Sequence, residues 1–289
     1  MTTPDEQEQR LIAEIGRHID WYSTALMRWN SQVVVPLRDL FIGCGTFVQV
    51  DGQFGILTAQ HVVEELAPPC QLGLVLELEK SHQFWIDSNH FTVCEIAIPG
   101  ETTKRPDLAF IGLHQPDVGT IKAYKQFVNL SSERNRVLPN PLHLNEGAWF
   151  IWGAAAYRNT IEPPESALKT IIGLHGLCGP GLGTNETREA EHDYIDIEVK
   201  YGANYETPKN FQGYSGGGLW QVPIDGIGTD SPTPTDWIYS GVIFYQSDVV
   251  DQKRLLNCHG RRSVYEYAYN RIQNRCTMRS QKQLSRDEL

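Results

Sequence analysis

Cysteine is scarce and scattered: six residues in 289, at positions 44, 70, 94, 178, 258 and 276, with no C-x-x-C pair. That dispersal signals neither a zinc site nor a disulfide framework, and leaves buried free thiols as the expected state. Positive charge is also short, with 25 Lys and Arg against 35 Asp and Glu and a formal net charge of -10. Phosphate backbones and anionic membrane surfaces are gripped by clustered cations, so nucleic acid and membrane are both disfavoured as partners. No apolar stretch is long enough to span a bilayer. The start, Met1 to Glu8, is acidic and polar, the opposite of a secretory n-region, and with the thiols this points to the cytoplasm. Arg286-Asp287-Glu288-Leu289 looks like an endoplasmic-reticulum retrieval signal, but it has no use without a signal sequence, and Gln281 to Leu289 reads as a solvated tail. Internal repeats, low-complexity segments and any metal or cofactor fingerprint are missing too.

What is present is a strand-rich globular composition, 40% hydrophobic with 25 Gly and 16 Pro, and three local motifs. The first is Gly213-Tyr214-Ser215-Gly216-Gly217-Gly218-Leu219-Trp220, a serine surrounded by bare backbone. The second, Phe54-Gly55-Ile56-Leu57-Thr58-Ala59-Gln60-His61-Val62-Val63, offers an imidazole at a strand-to-helix corner. The third, Arg105-Pro106-Asp107-Leu108-Ala109-Phe110-Ile111, offers a carboxylate entering an apolar strand. Each alone is an ordinary turn, cap or strand start. Together they are the parts of a nucleophilic site: a hydroxyl needs a base to take its proton, and the base needs a carboxylate to hold its tautomer. Asp87 and Asp117 are alternative orienting groups, but Asp107 leads because the run Leu-Ala-Phe-Ile-Gly-Leu after it would bury the adjacent backbone.

The order His61, Asp107, Ser215 resembles that of the chymotrypsin-like (trypsin-like) serine peptidases over roughly residues 35 to 260, with the strand Tyr239-Ser240-Gly241-Val242-Ile243-Phe244-Tyr245 as a fourth matching block. The resemblance implies an all-β fold of two six-stranded antiparallel β-barrels. It implies His61 as general base, Asp107 as its orienter, Ser215 as nucleophile, and the Gly213 and Ser215 amides as oxyanion donors, with no metal or cofactor and a protein or peptide as substrate. Gly216 and Gly217 would leave room for the imidazole and a neighbouring strand. Many secreted members carry cysteine where this chain has Val62 and Phe211, so those bridges are excluded. Tyr214 replaces the aspartate that pairs with a new N-terminus in trypsin-like zymogens, which leaves restraint to a regulatory partner or effector. By resemblance Lys209 lies at the base of the specificity pocket. It would either draw an acidic side chain or snorkel to solvent, leaving a pocket shaped by Phe244 and Tyr245. A catalytically silent module on the same fold, gripping a peptide along the Phe244 strand by β-augmentation, is the alternative reading.

Around these motifs, residues 5 to 30 read as an amphipathic helix, with Leu11, Ile12, Ile15, Ile19, Tyr22 and Leu26 at helical spacing and packing on the first barrel expected over a docking role. Asp51-Gly52 signals a hairpin leading to the histidine. The expected organisation is an N-terminal helix over 1–32, a first barrel over 33–145, a second over 146–260, and a C-terminal helix and tail over 261–289. The polar stretch Asn129 to Glu146 would connect the barrels, and Gly179 to His192 and Gln221 to Thr235 read as long loops bordering the cleft. Ser263 to Cys276 has the spacing of a closing helix.

Overall fold

A computed structural model describes residues 4–29, 40–77, 82–100, 105–140, 143–154, 160–162, 171–173, 176–200, 210–229 and 231–274. The N-terminal helix, α1 (Pro4–Asp20), ends ten residues before the expected limit. Ser23–Trp29 is a strand, β1, and its first five residues are buried one after another. A helix with one apolar stripe cannot bury five consecutive side chains, whereas a strand covered on both faces does. Tyr22 and Leu26 extend the helical spacing only by coincidence. Ser23 Oγ donates to the Ile19 carbonyl at 2.9 Å and Lys125 Nζ to the Asp20 carbonyl at 2.7 Å, so the last carbonyls of α1 are satisfied where it stops.

The first half of the chain continues with β2 (Phe41–Val50), β3 (Gln53–Thr58), α2 (Gln60–Glu64), β4 (Gln71–Glu77), β5 (His82–Asp87), β6 (Phe91–Ala97), β7 (Leu108–Leu113), α3 (Gln115–Lys122), β8 (Val128–Asn129) and α4 (Leu130–Val137). Seven strands run in the order β5-β4-β1-β2-β3-β7-β6, and β8 lies parallel to β2 as an eighth. No pairing of β5 with β6 closes this sheet among the described residues, so the six-stranded first barrel is corrected to an eight-stranded sheet. β1, which precedes the expected bounds of this unit, lies between β4 and β2. The Asp51-Gly52 turn between β2 and β3 forms as expected, with φ of 46° and 83° at its two central residues.

The second half holds β9 (Ala148–Ala154), a ladder of β10 (Thr160–Glu162) with β11 (Ile171–Gly173), then β12 (Gly176–Glu189), β13 (His192–Lys200) and β14 (Gly218–Val222). A second ladder, β15 (Ile224–Asp225) with β16 (Thr233–Pro234), precedes β17 (Ile238–Gln246) and β18 (Lys253–His259). Six of these strands close into an antiparallel ring, β12-β13-β18-β17-β14-β9. The molecule is thus mostly β, built from antiparallel sheets. The Gly179 to His192 loop is corrected to β12 and its turn. Glycines make that segment look irregular, but pairing along β13 from Leu182↔Glu198 to Glu189↔His192 overrides local preference. Likewise the Asn129 to Glu146 connector contains α4, whose N-terminus is capped by Asn129 Oδ1 accepting from the Ser131 and Ser132 amides. The closing helix, α5, covers residues 261–274 and is wound as a π turn over Ser263–Ala268.

One apolar cluster joins the two halves. Ile15 and Ile19 of α1 are fully buried in it beside Leu57 of the first sheet and Trp152, Trp220 and Tyr239 of the ring. The helix therefore wedges between both β units rather than packing on the first alone, and the His18 ring stacks on Trp237 at 4.0 Å. Tyr265 of α5 joins the same cluster and donates its hydroxyl to the Tyr239 carbonyl at 2.8 Å. Ile15→Ala and Ile19→Ala are each expected to cost about 2–5 kcal/mol, the range for emptying a buried aliphatic site. Urea unfolding followed by tryptophan fluorescence checks this, and a loss under 1 kcal/mol at both positions would mark α1 as peripheral.

Candidate active site

The histidine and its carboxylate come from neighbouring strands. β3 and β7 pair with Thr58 opposite Ala109, so the residues just beyond that register, at the start of α2 and just before β7, are brought side by side. Asp107 Oδ2 lies 2.6 Å from His61 Nδ1, and Asp107 Oδ1 accepts the His61 backbone N–H at 3.1 Å. An ionised carboxylate only accepts, so the ring proton sits on Nδ1 and leaves Nε2 as the acceptor. The Asp107 side chain is 5% exposed and that of His61 42%, which puts a shielded charge behind a ring open to solvent. The alternatives are engaged elsewhere: Asp87 Oδ1 accepts from Gln71, and Asp117 pairs with His90 at 3.5 Å.

Ser215 arrives from the ring, in a double turn ahead of β14. The Tyr214 amide donates to the Phe211 carbonyl at 3.0 Å and the Gly217 amide to the Tyr214 carbonyl at 2.8 Å, while Gly216 N–H bonds the Ile243 carbonyl on β17 at 2.7 Å. Gly213 has φ of 97° and Gly216 φ of 84°, values a side chain resists. At Gly216 an added Cβ would also collide with Thr58 Oγ1 and the Cys44 carbonyl, and at Gly217 with the Trp152 carbonyl. The space these glycines leave is therefore taken by β2, Thr58 and β9, as expected of a neighbouring strand, and His61 is not among the atoms nearest to an added Cβ.

Cys44, in the middle of β2, holds this turn from beneath. Its backbone N–H donates to the Ser215 carbonyl at 2.8 Å and its thiol to the Gly213 carbonyl at 3.1 Å, while Sγ accepts the Ala154 N–H at 3.2 Å. With both carbonyls held toward β2, the amides of Gly213 and Ser215 have no partner among the described residues. Sequence reasoning missed Cys44. The available signal was Gly43-Cys44-Gly45, small residues where another backbone must approach closely. Burial raises its thiol to about 12, so it is a structural group and not a nucleophile.

His61, Asp107, Gly213 and Ser215 line one cavity of about 730 Å³, with Phe244 and Tyr245 of β17 on its wall. No hydrogen bond joins Ser215 Oγ to His61 among the described residues; such contacts are often long before substrate binds. Phe244 is buried, its ring 4.9 Å from that of His259 and 5.9 Å from that of Tyr194, so it is a wall more than a docking edge. β17 pairs with β14 from Ile238 to Val242 and with β18 from Val242 to Gln246, and Ile243 also bonds the backbone of Gly216 and Gly217 in the serine turn. Lys209 lies outside the described residues. The described residues contain no cluster of His, Cys, Asp and Glu that could hold a metal ion, and no described helix is long and apolar enough to cross a membrane.

No family model matches the chain, and no curated protein matches it. Among solved structures it is similar to an HtrA-type protease with a decapeptide, at 12% identity and a TM-score of 0.42, over 85% of this chain and 62% of that one. It is also similar, at 13% identity and a TM-score of 0.43, to a chain from a study of the coupled folding and binding of the intrinsically disordered Sesbania mosaic virus VPg protein, over 86% of this chain and 90% of that one.

Buried and protonated, Cys44 is expected to resist iodoacetamide in the native chain at mildly alkaline pH and to react once urea unfolds it. Peptide mass spectrometry reads the modification, and native-state labelling of Cys44 would contradict its assigned place under the turn.

Proposed function

We propose that the chain is a serine endopeptidase acting through Ser215, His61 and Asp107. The observation that carries this reading is the 2.6 Å contact between a buried Asp107 carboxylate and His61 Nδ1, on the cavity that is also lined by Gly213 and Ser215, whose amides have no partner among the described residues. Ser215 Oγ attacks the peptide carbonyl as His61 Nε2 takes its proton, and Asp107 stabilises the imidazolium. The resulting oxyanion is held by the Gly213 and Ser215 N–H groups; the Tyr214 carbonyl, in the same peptide plane as the Ser215 N–H, is already held by the Gly217 amide at 2.8 Å. His61 returns its proton to the leaving amine, which breaks the C–N bond and leaves an acyl ester on Ser215. Water attacks that ester with His61 again as base, releasing the acid and restoring the hydroxyl.

Several features support the finer reading. Cys44, Cys70, Cys94 and Cys258 are free and buried, which suits a reducing compartment such as the cytoplasm. Tyr214 is buried with its ring 4.9 Å from that of Phe211, so the side chain just ahead of the nucleophile offers no carboxylate to accept a new N-terminus. Restraint of the enzyme then falls to a partner or effector.

A fluorophosphonate probe is expected to label Ser215 covalently, and Ser215→Ala and His61→Ala to abolish labelling. Asp107→Asn should slow it by about 10⁴-fold through loss of the useful tautomer. Labelling that persists in Ser215→Ala, or none in the wild type with any peptide or partner added, would refute the peptidase and favour a silent peptide binder. In a peptidase assay, Gly213→Pro deletes one oxyanion donor and, because proline fixes φ at about −65°, also distorts a turn in which Gly213 has φ of 97°, so turnover should fall by at least roughly 10²–10³.

A further inference from the structure

Asp107 has a third contact, which points away from His61. Its backbone N–H donates to His259 Nε2 at 3.0 Å, and both residues are buried, Asp107 at 4% exposure and His259 at 0%. The bond crosses the molecule: Asp107 enters β7 of the first sheet, whereas His259 ends β18 of the ring, paired to Tyr194 of β13 and Val242 of β17. Two N–H donors cannot face each other at that distance, so Nε2 carries a lone pair and the ring is neutral.

We propose that His259 is a positioning residue, whose unprotonated Nε2 fixes the Asp107 backbone across the seam and so sets where the carboxylate meets His61. The inference rests on the peptidase reading above.

The surroundings of His259 keep it neutral. Burial is the main cause that lowers its pKa, to about 3 from 6.5, with His192 and Arg105 acting the same way. His192 is 5.6 Å away between ring centroids, and Arg105 lies over the Tyr194 ring at 4.3 Å. The carboxylate near Gly260, Asp193, is committed to α5, accepting the Arg262 N–H at 3.0 Å and the Ser263 N–H at 2.7 Å. Asp107 directs its own carboxylate to His61. Phe244 and Tyr194 pack on the ring and exclude water. Burial, His192 and Arg105 thus outweigh the Asp107 backbone hydrogen bond, which alone acts to raise the pKa. Protonation would replace the acceptor with a donor aimed at the Asp107 amide and push that backbone away.

Two substitutions separate positioning from packing. His259→Phe keeps a ring but removes the acceptor, and His259→Gln returns an oxygen near the Nε2 position. His259→Phe is expected to slow fluorophosphonate labelling by roughly 10²-fold, as a small displacement of a catalytic group does. It should also shift the downfield proton resonance of His61 Nδ1, read in a Ser215→Ala background. His259→Gln should recover most of both. A His259→Phe protein that matches wild type in labelling rate and resonance, whatever its melting temperature, would overturn the proposal, as would equal losses in both variants. Should neither variant fold, ¹⁵N imidazole spectra of the Ser215→Ala chain decide the matter. An unprotonated His259 Nε2 at neutral pH, coupled to the Asp107 amide, supports the assignment, and a protonated Nε2 sinks it. The resonance measurements do not need a working nucleophile, so a chain that never labels would refute the peptidase while leaving the positioning test readable.

Discussion

Two β units must be held in one fixed relation for this site to exist, because the imidazole and carboxylate belong to one and the serine to the other. Buried hydrogen bonds to backbone groups hold that relation more than ion pairs do. Cys44 of β2 bonds the Ser215 and Gly213 carbonyls, Ala154 of β9 bonds Cys44 Sγ, and the Asp107 amide bonds His259. Each lies where water is scarce, and there an unmade bond to a buried group costs about 1–3 kcal/mol, so the two units cannot slide apart cheaply. Ion pairs that cross the units, Arg105 with Glu189 at 3.0 Å and with Asp196 at 3.8 Å, lie at partly exposed positions, where screening leaves them little to contribute.

Around that seam the rest of the chain acts as a clamp. α1 drives Ile15 and Ile19 into the shared apolar cluster. α5 adds Tyr265, which reaches the Tyr239 carbonyl, and Tyr269, which donates its hydroxyl to Asp51 Oδ2 at 3.1 Å, at the β2–β3 turn. Asp193 secures the start of α5 through the Arg262 and Ser263 amides, which engages both of its carboxylate oxygens. The same contacts that stabilise the fold thus set the electrostatics behind the candidate site.

Much of the local structure was legible because it follows from preferences within a few residues. Asp51-Gly52 adopts positive φ at both positions, as its turn demands. The glycines around Ser215 mark a turn in which a side chain would be strained or would collide. The helix over 261–274 follows the apolar spacing of Val264, Ala268 and Ile272. The misreadings share one cause. β1 looks helical by spacing, β12 looks like a loop by its glycines, and α4 was hidden in a polar stretch. In each, contacts with segments far along the chain, or a cap at Asn129, outweighed composition.

By itself the sequence determined the chemical inventory and the local backbone: a serine among glycines, a histidine at a strand-to-helix corner, a carboxylate ahead of an apolar strand, and scattered thiols without a partner motif. Only the tertiary structure decided which groups meet. It paired His61 with Asp107 and left Asp87 and Asp117 elsewhere. It placed Cys44 beneath the serine turn and His259 behind the carboxylate, and turned Phe244 into a buried wall. The physical reason is one of range. Dihedral preferences and capping act over a few residues, whereas a hydrogen bond such as that from Asp107 to His259 joins positions 152 residues apart, and its geometry exists only once both β units have packed.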